Sequence, residues 1–485
     1  MFIGREKELS KLNEIYQRKS SSYTAIYGRR RIGKTEIVRH FAKEKKVKLF
    51  LEFTGEYNSP IHYQLANFIN RLERSLSFSY REKIGSWSQA FILLESKLDE
   101  VFLGDGEKIV LFFDEMPWLD SDNSHFFSSM SYFWNTYCEK REDIMLVVCG
   151  SSASYMLNRV VNNQGPNHNR LTDIIPLFPF DLKETKEMLN EMGFRLSDMA
   201  IVETFMTFGG VAKYLSYLNP QWTLKQNIQK LCFEYGGMLV DEYENLFISL
   251  FGLGGHHQYI IDILVSKWSG FTQSEIMKRL KTTASMKKPL EELVVSGFVS
   301  KEYKFGQKSR DIVYRLQDPF SYFHSKWIKG VNSNILLHND NYWQEMSSTA
   351  SYNSWKGFAF ENICHIHLKN IKKALGISGV LTQSNYWSSK SDDKSKKGAQ
   401  IDLLIKHIKS NDIEIIECKY YSGEFTISKK YRDEIIDKMN TFNEQTNHRY
   451  NLRVIFITSN GIKHNAHYND ICQNNFSIEI LFTTV

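Results

Sequence analysis

Two groups of residues in this 485-residue chain have the types and spacing for phosphate chemistry. The first is Gly28-Arg29-Arg30-Arg31-Ile32-Gly33-Lys34-Thr35, two glycines bracketing four residues and followed by Lys and Thr. Gly28 and Gly33 let the backbone curl until its N–H groups face inward, and a helix starting there adds partial positive charge. The loop from Gly28 to Gly33 then cradles a polyphosphate, Lys34 reaches the terminal phosphates, and Thr35 offers its hydroxyl to Mg²⁺. Its complement is Asp114-Glu115, which closes the apolar run Lys108-Ile109-Val110-Leu111-Phe112-Phe113. Asp114 at a strand's carboxyl end would hold the metal's shell, and Glu115 would polarise an attacking water. A nucleoside triphosphate with Mg²⁺ is what this pairing takes.

The second group lies near the other end of the chain. Glu361 is one acid among apolar neighbours in Trp355-Lys356-Gly357-Phe358-Ala359-Phe360-Glu361-Asn362-Ile363-Cys364. Asp402 interrupts the apolar stretch Gln400–Ile405, and Glu417 and Lys419 alternate onto one face of Ile413–Lys419. Asp402 and Glu417 fall on adjacent strands of an expected hairpin, so their carboxylates can converge on one Mg²⁺. Lys419 would position a water or steady charge building on phosphorus, and Glu361 could add a ligand. A metal held by carboxylates beside a scissile phosphate is the logic of nucleolytic hydrolysis. The loop Lys390–Gly398 is cationic at its end; it either guides a phosphate backbone or is a solvated turn.

The elements that must place these residues alternate. Tyr23–Tyr27, Val47–Phe53, Lys108–Phe113 and Ile144–Gly150 read as strands, with a further strand-like stretch at Leu171–Leu177. Helical spacing follows Thr35 and recurs at Ile61–Leu76 and Ser88–Val101. The alternation predicts an α/β fold, a parallel sheet between helices with nucleotide at the strands' carboxyl ends. Ser151 or Ser152, after the fourth strand, could sense the last phosphate or orient water. Arg170 is a candidate contact for a phosphate or a second copy of the chain, or else a solvated surface residue. The short helix after Phe2-Ile3-Gly4-Arg5-Glu6 either closes over the base or is an ordinary leading helix. Asp181-Leu182-Lys183-Glu184 reads as a helix start, and Gly209-Gly210 could bring backbone close to the nucleotide.

Downstream, Phe271–Ile276 and Pro289–Gly297 read as two helices, and Val299–Tyr303 and Asp311–Leu316 as two strands across a turn at Gly306. Helix, helix, strand, strand predicts a winged helix-turn-helix. Lys278, Arg279, Lys281, Lys287 and Lys288 either meet DNA phosphates or dress a packing spacer. The expected domains are a P-loop core with helical lid over 1–235, the winged helix over 236–345, and a nuclease-like domain over 346–485.

Composition bounds the class. The formal charge of +6 and apolar fraction of 42% describe folded domains that permit a nucleic-acid partner without demanding one. No apolar run reaches the roughly 18 to 20 residues of a membrane span, and the first residues lack a signal peptide's apolar core. The six cysteines form no CxxC pair and read as reduced, mostly buried thiols, so a cytoplasmic setting is expected.

Phe2-Ile3-Gly4-Arg5-Glu6, the Gly28–Thr35 loop, Leu111-Phe112-Phe113-Asp114-Glu115, Cys149-Gly150-Ser151-Ser152, Arg170 and Gly209-Gly210 occur in an order that resembles the archaeal-type ATPases, relatives of the STAND branch of the AAA+ superfamily. The resemblance covers roughly residues 1 to 330. It implies an ATP-driven switch or motor in which a helical lid and a winged helix follow the core. Ala212 stands where that family usually has a proline after the glycine pair. The acidic helix, then Asp402, then Glu417-Cys418-Lys419 resemble the PD-(D/E)XK nucleases, a restriction-endonuclease-like fold, although Ile401 replaces the proline that names the motif. Two functions are expected: an ATPase whose switch drives a Mg²⁺-dependent nuclease acting on DNA, or a regulatory scaffold whose last domain binds DNA or protein without cutting. A homo-oligomer is compatible with either.

Overall fold

The inner strands of the first half carry apolar residues on both faces, which requires cover on both sides. In the computed structural model Ser22–Tyr27 (β1), Leu49–Thr54 (β2), Ile109–Asp114 (β3), Ile144–Gly150 (β4) and Asp173–Pro176 (β5) form one parallel sheet in the order β2-β3-β4-β1-β5. Alternate residues part cleanly. Leu111, Phe113, Leu146 and Val148 pack beneath helices Ile61–Leu76, Trp87–Asp99 and Phe126–Thr136. Val110, Phe112, Val147 and Cys149 pack beneath helices Glu6–Tyr16 and Lys34–Glu44. The structure describes residues 2–101, 106–121, 123–152, 155–161, 170–252, 254–306, 312–389 and 399–483, apart from the side chains of positions 158, 161, 333 and 402. The expected loops at 162–167 and 390–398 lie outside the described residues.

The sheet order decides what meets what at its carboxyl edge. β4 separates β1, which feeds the glycine loop, from β3, which ends in Asp114. Whatever follows β4 is therefore held between the two halves of the expected phosphate site.

The chain divides into two compact units, Met1–Phe178 and Pro179–Val485. The helices from Leu182 to Cys232 thus belong by contact to the second unit. There Asp181 and Glu184 form a reciprocal capping box at the start of Leu182–Glu191. Gly210 explains itself locally: an added Cβ would stand 1.8 Å from the Phe180 carbonyl oxygen, and that glycine's own carbonyl accepts from the Phe180 N–H at 2.7 Å. Its role within the unit is close backbone packing.

Next come helices Gln273–Leu280 and Lys287–Val295 and a small antiparallel sheet of Phe271–Thr272 (β6), Val299–Tyr303 (β7) and Ile312–Leu316 (β8), in the order β6-β8-β7. The aromatic segment after it, with Phe320, Phe323 and Trp327, is core. A second five-stranded sheet follows, built from Thr382–Ser389 (β9), Ala399–His407 (β10), Asp412–Lys419 (β11), Asn451–Thr458 (β13) and Cys472–Ser477 (β15), with the minor strands Phe425–Thr426 (β12) and Ile462–Lys463 (β14) paired apart. Its order is β15-β13-β11-β10-β9. The hairpins β9-β10 and β10-β11 are antiparallel, and β11, β13 and β15 are parallel. Parallel neighbours need a crossover, supplied between β11 and β13 by helix Lys429–Gln445. One face of this sheet, with Leu403, Ile416 and Ile457, packs with Phe360 and Ile363 of helix Ala350–Ile366. The other, with Ile413, Ile415 and Phe456, packs with Ile435 and Phe442 of the crossover helix.

The hairpin β7-β8 is tied to this sheet. Phe305 N–H donates to the Tyr386 carbonyl at 2.9 Å, the Asn385 amide donates to the Tyr303 carbonyl at 3.0 Å, and the Phe305 ring packs 5.0 Å from Phe442. Cys138, Cys149, Cys232, Cys364 and Cys418 are buried free thiols. Among the described residues no helix is long and apolar enough to cross a membrane.

Candidate functional site

The glycine loop is shaped by backbone constraints that its sequence makes possible. Gly28 has φ +157°, and a Cβ there would meet the Leu177 carbonyl oxygen at 2.2 Å. Gly33 has φ +94° and stands at the N-cap of Lys34–Glu44. The helix begins on Lys34, so its unpaired N–H groups open toward the loop. Arg31 also has positive φ, 72°, and the Arg30 guanidinium lies 5.6 Å over the Trp118 ring. Arg29 and Ile32 are buried.

Arg5 contributes a support that periodicity did not reveal. It caps Glu6–Tyr16 in a left-handed conformation, is buried, and donates through Nη2 to the Ile32 carbonyl at 3.0 Å. The Phe2 ring stacks on His40, 3.9 Å between centroids. The leading segment therefore clamps both the loop and the helix after it.

Side chains at the sheet's carboxyl edge form a continuous chain. Lys34 Nζ donates to the Arg29 carbonyl at 2.9 Å. Thr35 Oγ1 donates to Asp114 Oδ2 at 2.7 Å. The Glu115 N–H donates to Asp114 Oδ1 at 2.9 Å. Ser151 reaches Glu115 twice, through its N–H to Oε2 at 3.2 Å and through its hydroxyl to Oε1. Of the two serines after β4, Ser151 is thus the one that holds Glu115, whereas the Ser152 hydroxyl accepts from the Tyr155 N–H and caps a turn. Burial pushes the Asp114 carboxyl above its ordinary pKa, and the Thr35 hydroxyl pulls it partly back. An acid that resists ionisation by burial, next to a hydroxyl, gains from a divalent cation; hydroxyl and carboxylate oxygens are the hard donors Mg²⁺ accepts.

Arg170 stands elsewhere. Thr172, two residues on, donates its N–H to the Tyr23 carbonyl at 2.9 Å, and β5 runs parallel to β1 from there. Arg170 therefore lies where the strands begin, with Nη1 3.4 Å from the Ser131 carbonyl, and does not join the cluster at the strands' ends.

In the second unit the structure gathers Glu417, Lys419 and Glu361. Glu417 is buried at the end of β11 and pairs with Lys419 at 3.3 Å. Tyr431 donates its hydroxyl to Oε2 at 2.7 Å, and Lys438 donates to Oε1 at 3.0 Å. Burial alone would raise the Glu417 carboxyl, but Lys419, Lys438 and the Tyr431 hydroxyl bring it down to about 2. Burial would lower the Lys419 ammonium, yet Glu417 and Glu361 hold it above its usual value. Lys419 also lies 5.0 Å over the Tyr431 ring.

Tyr431 and Lys438 were not among the residues singled out from the sequence. They stand seven residues apart, on one face of the crossover helix, and a Lys among the apolar positions of that face was the only signal. Leu403 faces Ile416 across β10 and β11, which places position 402 opposite position 417. The β9–β10 register shifts between Ile401 and Leu404, a bulge at the predicted acid. The Asp402 side chain itself lies outside the described residues. Among the described residues no group of three or more His, Cys, Asp or Glu side chains converges as for a metal ion.

Comparison with known proteins places a family model over the part of the chain that holds the glycine loop. Residues 2–218 match a family model described as an ATPase domain predominantly from Archaea, and residues 326–435 match one described as archaeal and bacterial proteins of unknown function. The chain is 22% identical over 437 residues to an uncharacterized protein of Methanocaldococcus jannaschii, covering 86% of this chain and 90% of that one. It is 38% identical over 48 residues to an uncharacterized ATP-binding protein of the same organism, covering 10% of this chain and 81% of that one. A solved structure of the Walker-type ATPase of Pyrococcus abyssi aligns with a TM-score of 0.47 at 16% identity, covering 67% of this chain and 96% of that one.

Proposed function

With residues 2–218 an archaeal-type P-loop ATPase domain, we propose that this protein is an ATP-hydrolysing switch coupled to a nuclease-like domain that acts on DNA. The hydrogen-bonded chain Thr35–Asp114–Glu115–Ser151 carries the first half of the proposal. The backbone of Gly28–Gly33 and the ammonium of Lys34 bind the phosphates of ATP. Mg²⁺, held by Thr35 and Asp114, would neutralise charge on the terminal phosphates. Glu115, fixed by Ser151, orients the water that attacks, and Ser151 directly follows the strand that lies between the loop and the acids. Arg170, at the other end of the strands, is left with a second copy of the chain as its route to a phosphate.

The second half rests on Glu417 and Lys419 at the end of β11, with position 402 across from Glu417 and Glu361 close enough to act on the Lys419 charge. Asp402 and Glu417 would hold a second Mg²⁺ beside the scissile phosphate, and Lys419 would steady the developing charge. The helix–helix–strand–strand segment ahead of it is read as a winged helix. The hydrogen bonds between its hairpin and β9 make a packing role the better-supported one.

A second reading has its own observation. Both oxygens of Glu417 are already engaged by Tyr431, Lys438 and Lys419, a set that neutralises the acid without metal. Such a site suits a regulatory switch whose last domain binds DNA or protein without cutting. One experiment separates the two: incubation of plasmid, linear duplex and single-stranded DNA with Mg²⁺ or Mn²⁺, with and without ATP. Cleavage lost in Asp402→Ala and Lys419→Ala supports the nuclease; binding with no cleavage in any form supports the switch. Cleavage equal in wild type and both variants would sink the assignment of these residues.

A further inference from the structure

A cavity of about 350 Å³ opens beside β2, the edge strand of the first sheet. Neither the ATPase chemistry nor the acid–lysine cluster uses it. Its volume lies at the small end of the range for small-molecule sites, enough for a compact metabolite. Three rings make its apolar wall. Phe53 stacks on Phe68 at 4.3 Å, and Trp87 meets Phe68 edge-on at 5.6 Å.

The charged side of the cavity is unbalanced. Arg39 is spent on Glu52, to which it donates through Nε at 3.1 Å and Nη2 at 2.6 Å. Arg71 lines the same cavity and uses Nε alone among the described residues, on the Glu52 carbonyl at 3.2 Å. Arg71 is exposed, so its fork is met by water and open to a ligand, and a fork matches a carboxylate bidentately. We propose that this cavity binds a small aromatic carboxylic acid, ring against Phe53, Phe68 and Trp87 and carboxylate on Arg71, and that the acid modulates ATP turnover.

The wiring for the second clause is in the wall. Gln64 lines the cavity and donates to the Trp118 carbonyl at 3.3 Å. The Trp118 N–H in turn donates to the Glu115 carbonyl at 2.9 Å. Leu119, the next residue, also lines the cavity. A ligand that fixes this wall therefore biases the turn carrying Glu115, which here rests on the reading of Glu115 as the water-orienting acid.

The test titrates the full chain calorimetrically with benzoate and indole-3-acetate, with benzyl alcohol and sodium acetate as halves of the proposed ligand. At least one aromatic acid should bind, at least tenfold more tightly than benzyl alcohol or acetate. Arg71→Gln should weaken it at least tenfold. Asn67→Trp, a bulky change at an exposed position on the rim, should abolish binding even if Arg71→Gln proves unstable. No heat with either acid, or equal affinity in wild type and Asn67→Trp, overturns the site. The acid that binds should change the ATP turnover of wild type at least twofold and leave Asn67→Trp unaffected; an unchanged rate with binding intact overturns the coupling. The Lys34→Ala chain should still bind the acid, so a failure of the ATPase reading does not masquerade as a failure of this site.

Discussion

Lys438→Met tests how the Glu417 cluster is held. The substitution keeps the aliphatic stem and removes one ammonium 3.0 Å from Glu417 Oε1. A hydrogen bond to a charged partner contributes about 1.5–3 kcal/mol. The Lys438 side chain is 30% exposed, so solvent screens it, and the lower part of that range, about 1.5–2 kcal/mol, is expected. Tyr431 and Lys419 remain, so the carboxylate is weakened and not orphaned. For a unit spanning Pro179–Val485 the loss lowers the melting transition by about 2–3 °C. Differential scanning calorimetry of the full chain, following the transition of the second unit, reads it.

Glu417→Gln extends the test through pH. Moving a carboxyl from 4.5 to about 2 corresponds to about 3 kcal/mol of stability. A depressed carboxyl contributes fully above its unfolded value and loses that contribution as pH falls toward the folded one. The stability difference between wild type and Glu417→Gln should therefore be about 3 kcal/mol at neutral pH and fall to about 2 kcal/mol near pH 3.5. A melting point untouched by Lys438→Met, or a difference constant over that pH window, refutes the reasoning. Added Mg²⁺ separates the two functions. If the carboxylates gather a metal, Mg²⁺ should raise the Lys438→Met transition more than the wild-type one; in a site sufficient without metal it should raise neither.

Three further outcomes are expected. Lys34→Ala should cut ATP turnover by about a hundredfold or more with the circular dichroism spectrum unchanged, because the loop is also held by Gly28 and Arg5; turnover near wild type would remove the phosphate role of Lys34. Ser151→Ala deletes the hydroxyl bond to Glu115 and should lower kcat by about tenfold with little change in KM, whereas an equal loss from Ser152→Ala would contradict the separation of the two serines. Gly210→Ala drives a Cβ into the Phe180 carbonyl, 1.8 Å away, and should destabilise the second unit by about 2 kcal/mol or more without changing the KM for ATP.

The legible parts of the first unit were those fixed by short-range rules. A strand buried on both faces reads as an unbroken apolar run, and Ile109–Phe113 and Ile144–Cys149 are buried throughout. Helix Ile61–Leu76 has the span its apolar spacing predicts. Asp114 and Glu115 were visible because acids end an otherwise apolar strand. What stayed hidden depended on strand order and on unusual backbone. Arg5 serves the loop only because a left-handed residue turns its side chain inward. The choice between Ser151 and Ser152 required β4 to lie between β1 and β3. Arg170 precedes a strand parallel to β1, which sets it at the strands' beginning. Gly210 looked like a nucleotide contact because glycine pairs permit close approach, but the backbone it approaches is that of Phe180.

The second unit shows why a spaced motif under-describes a site. Glu417 and Lys419 lie two residues apart and share a face by strand periodicity alone. Two further partners, Tyr431 and Lys438, arrive through topology: β11 and β13 are parallel neighbours, so the chain between them must cross the sheet. It does so as a helix packed on the face that carries Ile413, Ile415 and Glu417. An acid at the end of β11 must then meet the polar residues on the facing side of that helix, from Tyr431 in its first turn to Lys438 near its middle. With Lys there, the acid is neutralised and kept ionised; with an apolar residue, it would carry only Lys419 and Tyr431 and would gain more from a cation. On the nuclease reading, position 438 would thus set whether this cluster favours a cation or stands without one, and it would do so from outside the spacing that drew attention to the site.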